Sequence, residues 1–483
     1  MSLDLFLNEL RALKVTLAVD GDQLSVRAPK GVITKELGAA ITARKQEILQ
    51  YLKQAQGLST RSSKIQKADR SLLPVLSFGQ KRLWFLYELE GPSPTYNMPL
   101  CFGIKGDFKR QYFEQALSQI VQRHEILRYN FISTANGPTI VLKEAKAFRC
   151  EWFDLTTDHT RTAQNIVQAL QNFSFDLTKD DLIKATVIKT DQQQFQVTIL
   201  LHHIVADGWS IGVLFKELQD LYTALCEQQD TKLKALAIQY SDYAHWQSDE
   251  LAGTSLQAFI DYWKTRLAGC PERLALTTDH PRPNYLSYSG KTHICEIDIH
   301  VAEGLKALSQ ATNSTLYMTL LAGFAVFLSA HSGQDDLVIG SPVANRNDAA
   351  LEDLIGLFIN TLPIRIDLSG DPSVEEFINR VKVACMRDFN HQEIPFEKIV
   401  ESLNPPRSLN HAPLYQVAFD LQTSTQQVSS FANLQIEPIV QDNNSAKFDL
   451  SLSLEAEGQR LVAYWNFSED LFVDERIAQF ATR

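Results

Sequence analysis

The stretch "QVTILLHHIVADGWS", residues 196–210, leaves few folds open to the chain. An apolar strand pattern runs into two adjacent histidines. A helical pattern, "SIGVLFKELQDLYTAL", then starts near Asp207 or Gly208 and places Ile211, Leu214, Leu218, Leu221 and Leu225 on one face. A strand that feeds a helix through so short a turn is a building step of layered α/β architecture. Neighbouring strand residues point to opposite faces, so one of His202 and His203 faces a cleft while the other packs inward. Asp207 stands where a carboxylate caps the helix or folds back to hold a loop. Gly208 removes a side chain where something must approach the backbone.

Three readings compete for this stretch: a buried structural turn, half of a metal site, and an acid–base centre. A zinc site needs histidines at helical spacing and further ligands, none of which stands nearby, so no metal is expected. For a lone histidine the structural turn is the commoner outcome. A chance HHxxxDG in a chain of this length, however, is on the order of one in a thousand at average residue usage, which favours a functional centre.

Beyond this stretch, helical and strand patterns alternate from Leu72 onward. "FEQALSQIVQRHEIL" is amphipathic and runs into the strand pattern "RYNFIST"; "LIKATVIKTDQQQFQVTILLHHIV" reads as two strands joined by a polar turn. The second half has the same texture. "STLYMTLLAGFAVFLSAHSG" reads as a buried helix closing on Gly333, "DDLVIGSPVANR" as a strand entering a loop, and "VEEFINRVKVACMRDF" as another helix. The expected class is α/β (α+β), in two lobes of similar size, about 72–246 and about 247–483.

The first 57 residues form a separate unit. "SLDLFLNELRALK" is a helical stripe with Ser2 at its cap, "VTLAVDGDQLSVRAP" is a hairpin turning at Asp20-Gly21, and 34–54 is a helix or two helices broken near Gly38. A polar, serine-rich and basic linker follows over 58–71. The net charge of −11 is uneven, since residues 1–71 hold twelve Lys/Arg against seven Asp/Glu. An acidic body of −16 speaks against nucleic-acid binding, and the basic start suits an acidic protein partner. Six scattered cysteines without a CxxC pair read as reduced thiols of a cytoplasmic protein. "MSLDLFLNELRALK" mixes charge into its apolar positions, unlike a signal peptide, and the longest apolar run is too short to span a bilayer; no membrane role is expected.

The motif "HHIVADG" resembles the core motif of the condensation domains of non-ribosomal peptide synthetases. Further motifs of that family occur in order: "SFGQKRLWFL" (77–86), "RHEILRYNF" (123–131), "YSDYAHW" (240–246), "IGLFINTLPIR" (355–365) and "HQEIPFEKIV" (391–400), with "PPRSLNHAPLYQV" a looser match. The resemblance covers about 72–483. It implies two chloramphenicol acetyltransferase-like lobes in a V shape, with a tunnel from each side. The first unit, in element order αββα(α) and in position, resembles a TubC-type N-terminal docking domain. Such a unit receives the C-terminal tail of an upstream synthase and is in some cases dimeric.

The implied reaction joins the α-amine of an acceptor aminoacyl thioester to a donor acyl or peptidyl carbonyl, both on carrier proteins. An amine with a pKa near 8 is mostly protonated at neutral pH, so an imidazole that takes or orients its proton is useful. His203 is the candidate, either as base or as stabiliser of the zwitterionic tetrahedral species. The Gly208 N–H would donate to the oxyanion, and His202 and Asp207 take structural roles, Asp207 pairing with Arg346 of the other lobe. Arg82 and Trp84 are expected to anchor the floor of the first lobe, Arg123, His124 and Glu125 to form a polar cluster at a helix end, and Pro395 and Phe396 to pack. Asn360 and Thr361 are expected where the lobes meet, with substrate contact as open as its absence. In the docking unit, the strand with Leu24, Ser25, Val26 and Arg27 is an edge for an added partner strand. Arg27 and Lys30 there would meet an acidic tail or stand merely solvated.

The resemblance implies no cofactor of the chain's own; 4'-phosphopantetheine arms come from the carrier proteins. It also implies a downstream adenylation domain and a bacterial, cytoplasmic assembly line of which this chain is an N-terminal excerpt. Epimerase and heterocyclisation domains fit less well, since the latter carry DxxxxD in place of HHxxxDG. A stand-alone acyltransferase using a CoA thioester and a non-catalytic recruitment platform are the remaining alternatives.

Overall fold

A computed structural model describes residues 16–20, 23–27, 44–45, 65–70, 74–135, 137–251, 254–285, 287–406, 408–423, 431–439, 445–458 and 460–482. The chain divides into two compact units, Met1–Ile65 and Gln66–Arg483. In the first, β1 (Thr16–Asp20) and β2 (Gln23–Arg27) pair antiparallel with Leu17 opposite Val26 and Asp20 opposite Gln23. Leu24, Ser25, Val26 and Arg27 thus lie on β2. Lys30, the flanking helices expected over 2–13 and most of 34–54, and the linker over 58–64 fall outside the described residues.

The second unit has two mixed α/β halves. Its first half runs α1 (Phe78–Glu90), β3 (Asn97–Lys105), α2 (Arg110–Arg123), the hairpin β4–β5 (Tyr129–Thr134, Gly137–Leu142), β6 (Glu151–Asp154), α3 (Ala163–Gln171), β7 (Ile183–Asp191), β8 (Gln194–His202) and α4 (Gly208–Glu227). The second half runs α5 (Tyr240–Glu250), α6 (Thr254–Arg266), β9 (Gly290–Ile297), α7 (Ile299–Ala311), α8 (Leu316–Ser332), β10 (Asp336–Val343), β11 (Asn360–Asp367), α9 (Val374–Phe389) and α10 (Phe396–Leu403). It closes with β12 (Val417–Thr423), β13 (Gln435–Pro438), β14 (Leu450–Glu457), β15 (Arg460–Ser468) and α11 (Asp474–Ala481).

The polar "TDQQQ" turn folds β7 back on β8 as an antiparallel hairpin, and β8 lies near the middle of a sheet ordered β13-β3-β8-β7-β6. Val197, Ile199, Leu200 and Leu201 are all fully buried, because β8 is covered on both faces. The second sheet is ordered β11-β10-β12-β14-β15-β9, parallel at β10–β12–β14 and antiparallel elsewhere. The apolar helix α8 packs in its core, capped by the Thr315 hydroxyl and stopped by Gly333 at φ 70°. Gly340 is required on β10, since a Cβ there would stand 2.3 Å from the Tyr415 ring.

The expected lobe border at 246/247 needs correction on two counts. It falls inside α5, which runs unbroken to Glu250. The second half also returns a strand to the first sheet, β13 pairing antiparallel with β3 with Ile436 opposite Ile104. The first sheet is therefore not continuous in sequence.

Candidate functional site

The HHxxxDG stretch bridges β8 and α4 as the strand-and-helix patterns predict. His202 ends β8 and points inward, 5 % exposed, with Phe175 edge-on at 5.9 Å. Its Nδ1 accepts the Ile204 N–H at 3.1 Å, which places the ring proton on Nε2. Burial, with the neighbouring His203 and Lys447, pushes its pKa down to about 3, so it is neutral at pH 7.

His203 faces the other way and is half-buried. Its backbone N–H donates to the Tyr96 carbonyl at 2.9 Å, and its Nδ1 lies 2.7 Å from the Ala206 carbonyl. A carbonyl only accepts, so Nδ1 carries the proton and the Nε2 lone pair is left free. Burial lowers its pKa to about 4, helped by the charge of Lys447 and opposed by the Ala206 carbonyl and Asp207. At neutral pH this imidazole is an unprotonated acceptor of defined tautomer.

Asp207 caps α4 and ties the two halves together. Its Oδ1 accepts from the Ser210 N–H at 2.9 Å and from Arg346 Nη2 at 3.0 Å; its Oδ2 accepts from the N–H groups of Phe358 and Ile359 at 3.0 and 3.3 Å. Both charged side chains are 2 % exposed. Burial lowers the Arg346 pKa, against the pull of Asp207. The guanidinium also donates to the Leu351 and Leu354 carbonyls and lies 4.1 Å over the Phe358 ring, while its Nε has no partner among the described residues. Gly208 opens α4 in solvent; its N–H belongs to the first turn, which has no intrahelical acceptor to offer.

The segment 351–359 of the second half inserts beneath this turn. Trp209 Nε1 donates to the Glu352 carbonyl at 2.9 Å, the Ile355 N–H to His124 Nδ1 at 3.4 Å, and the Tyr240 hydroxyl to the Leu357 carbonyl at 2.7 Å. Gly356 makes this possible, because a Cβ there would lie 2.2 Å from the Tyr240 ring. His124 donates its Nε2 proton to Glu217 at 2.9 Å, and Arg123 reaches the same carboxylate at 2.8 Å, so these two form a polar cluster with α4. Glu125 stands beside it, 3.3 Å from Arg70.

Other expected positions differ. Trp84 is buried and stacks on Tyr87, but Arg82 is no floor anchor: its side chain is 45 % exposed and reaches across to Glu397 of α10 at 3.3 Å. Residues two apart on a helix face nearly opposite ways, so Arg82 and Trp84 cannot share one surface. Asn360 spends its amide inside the second half, donating to the Gln392 and Ile394 carbonyls and accepting the Phe396 N–H, which leaves it no donor for a substrate. Thr361 bonds the buried Tyr415 hydroxyl. Pro395 caps α10 and Phe396 is buried.

Residues not foreseen also gather here: Tyr96, Ser210, Gly356 and Lys447. Ser210 stands three residues beyond Asp207, where a first-turn hydroxyl can be read from the D-x-x-S spacing. Lys447, in "AKFD", is a lone cation in an apolar approach to a strand. Arg82 and Lys447 are exposed and His203 is half-buried, so solvent reaches each of the three. Among the described residues no cluster of three His, Cys, Asp or Glu is placed to hold a metal, and no single helix is long and apolar enough to cross a membrane.

Comparison with known proteins gives the following. The family model of the condensation domain matches residues 73–483, and that of the TubC N-terminal docking domain matches residues 4–54. The chain is 40 % identical over 399 residues to malpinin synthetase of Mortierella alpina, and 39 % over 424 residues to a component of the linear gramicidin synthase of Brevibacillus parabrevis. These matches span 82 % and 86 % of the chain but only 5 % and 8 % of the relatives' own lengths. Among solved structures, the X-domain from teicoplanin biosynthesis superimposes with a TM-score of 0.79 at 25 % identity, covering 87 % of this chain and 95 % of that one.

Proposed function

The chain belongs to the condensation-domain family of non-ribosomal peptide synthetases and carries a TubC-type docking domain ahead of it, and on that premise we propose that it forms an amide bond between two carrier-bound thioesters. Its mixed α/β fold is the chloramphenicol acetyltransferase-like fold of such domains. The observation that carries the proposal is the half-buried His203 imidazole, its Nδ1 held by the Ala206 carbonyl and its Nε2 free and unprotonated.

The acceptor nitrogen attacks the donor thioester carbon, and the C–N bond forms. His203 Nε2 takes the ammonium proton from the tetrahedral species, the C–S bond breaks, and the proton passes to the departing thiolate. The Gly208 N–H stabilises the oxyanion, and Asp207 with Arg346 holds the turn that aims it. The thiols belong to the 4'-phosphopantetheine arms of donor and acceptor carrier proteins, so the chain uses no cofactor of its own. Its docking domain, as a monomer or dimer, takes the C-terminal tail of an upstream synthase along β2, with Arg27 and Lys30 meeting acidic residues. An adenylation domain downstream supplies the acceptor, in the reducing cytoplasm of a bacterium. Loaded donor and acceptor carrier proteins mixed with the chain should yield the joined product by mass spectrometry, and His203→Ala should lower its rate about a hundredfold or more, the usual reach of general acid–base catalysis.

A recruitment platform is the second reading, supported by the likeness to the X-domain solved in complex with OxyB. Equal product from wild type and His203→Ala would favour it.

A further inference from the structure

Residues 66–70, the opening of the second unit, are bound to its body by a backbone N–H and by one guanidinium. The Ala68 N–H donates to Asp242 Oδ1 at 2.9 Å. Arg70 Nη1 donates to Ser241 Oγ at 2.9 Å and lies 3.3 Å from Glu125 Oε2, while its Nη2 lies 3.3 Å from Asp242 Oδ2. The Asp242 side chain is fully buried, and its Oδ2 also takes the Gln239 N–H at 2.7 Å in the cap of α5. Among the described residues Arg70 is the one cation within ion-pair reach of that carboxylate. A carboxylate cut off from solvent needs such a charge. The chain supplies it from ahead of α1, 172 residues away.

Arg70 joins two elements that share one task. Ser241 and Asp242 open α5, and Glu125 opens the turn that follows α2. The same two elements are tied by Gln239, whose Nε2 donates to the Arg123 carbonyl at 3.0 Å and whose Oε1 accepts the Glu125 N–H at 3.1 Å. Each element then holds the segment 351–359 through a neighbouring residue. The Tyr240 hydroxyl donates to the Leu357 carbonyl, and the Tyr240 ring leaves room at 356 only for glycine. His124 Nδ1 accepts the Ile355 N–H. Just beyond, the Phe358 and Ile359 N–H groups end on Asp207, the cap that fixes the Gly208 turn. Every step from Arg70 to Asp207 is a covalent, packed or hydrogen-bonded one.

We propose that Arg70 is a positioning residue for the HHxxxDG turn: from the entrance of the second unit it clasps α5 to the turn after α2, and so fixes the segment that carries the Asp207 cap. The effect on turnover rests on the amide-forming reading of that turn, whereas the effect on the segment does not. A chain of contacts becomes a coupling only when its two ends move together.

Hydrogen exchange read by mass spectrometry on the folded full chain follows the far end without any turnover. Arg70→Met should raise exchange about tenfold in peptides covering 355–359, while peptides of α8 and β10 keep their wild-type rates. Glu125→Gln leaves Asp242 paired, and Arg70→Lys keeps the charge but loses the planar fork that spans three acceptors. Both should raise the same peptides by less, and they carry the test should Arg70→Met not fold. With loaded carrier proteins, Arg70→Met should lower kcat about tenfold at unchanged KM, the scale of a sub-ångström misplacement. Unmoved exchange over 355–359 in Arg70→Met, or in both milder variants where it does not fold, overturns the proposal. So does a rise spread evenly over the second unit, the mark of a merely structural loss. A raised KM at unchanged kcat overturns it too, since Arg70 would then be a carrier contact. A wild type that forms no amide while the exchange moves removes the condensation reading and leaves the clasp standing.

Discussion

At the Asp207 carboxylate, three backbone N–H groups and one guanidinium converge from both halves of the molecule. Removing one member of a buried pair leaves the other charge uncompensated, at about 3–5 kcal/mol. Asp207→Ala should lose about that much in urea unfolding, and amide formation should fall with it because the Gly208 turn loses its cap. Asp207→Asn combined with Arg346→Met should lose less than the sum of the two single changes, since the first no longer strands the second. An Asp207→Ala protein with wild-type stability would show that the pair holds nothing. His202 makes the pH case. Its folded pKa, about 3, lies below the ordinary 6.5, so the unfolded state binds the extra proton. Stability is then fully present above about pH 6.5 and drains as pH falls toward the folded value, by up to about 1.4 kcal/mol per unit. His202→Gln keeps a polar side chain near the Ile204 N–H but cannot titrate. It should be less stable than wild type at pH 7, and the gap in denaturation midpoint should narrow between about pH 6.5 and about pH 4. A constant gap would mean that His202 is protonated alike in both states.

Elements whose pattern is local are legible in the sequence. The period of α4 follows from Leu214, Leu218 and Leu221, all buried, with Ile211 and Leu225 at the half-buried edges of the stripe. The β7–β8 hairpin follows from a polar turn between apolar runs, and the opposite facing of His202 and His203 follows from strand alternation. The Asp207–Arg346 pair comes from family resemblance, and its geometry cannot come from spacing, because 139 residues separate the partners. For the same reason the sequence misleads about Arg82: its partner Glu397 is 315 residues away, and nothing local in "KRLWF" marks which side of α1 meets the other half. β13 is invisible for a different reason. In "QIEP" only Ile436 is buried, so four residues carry a single apolar position and no period at all. Asn360 shows the limit from the other side, since its motif position suggests a role in substrate contact while its amide is consumed in shaping the entry to α10.

At the scale of the whole second unit, the contacts that cross between halves decide how it unfolds. Segment 351–359 lies under the HHxxxDG turn, Arg82 reaches Glu397, and β13 extends the first sheet past β3. Each half therefore completes its core or its sheet with chain from the other. Two halves joined in this way should melt as one cooperative body, and hydrogen exchange followed by mass spectrometry should show β8 and β10 losing protection at the same denaturant concentration. Ile436→Pro tests which contact enforces this. Proline takes from β13 its one buried apolar side chain, while the N–H it lacks points away from β3, so the strand loses its anchor and β3 becomes an edge with open backbone groups. The first sheet should then lose protection before the second, while the Asp207–Arg346 tie stays in place. Amide formation should drop without change in the pH profile at His203, because the imidazole keeps its Ala206 carbonyl and its facing charges. If β8 and β10 still open together in Ile436→Pro, the returning strand is an ornament on the sheet, and the segment 351–359 alone couples the halves.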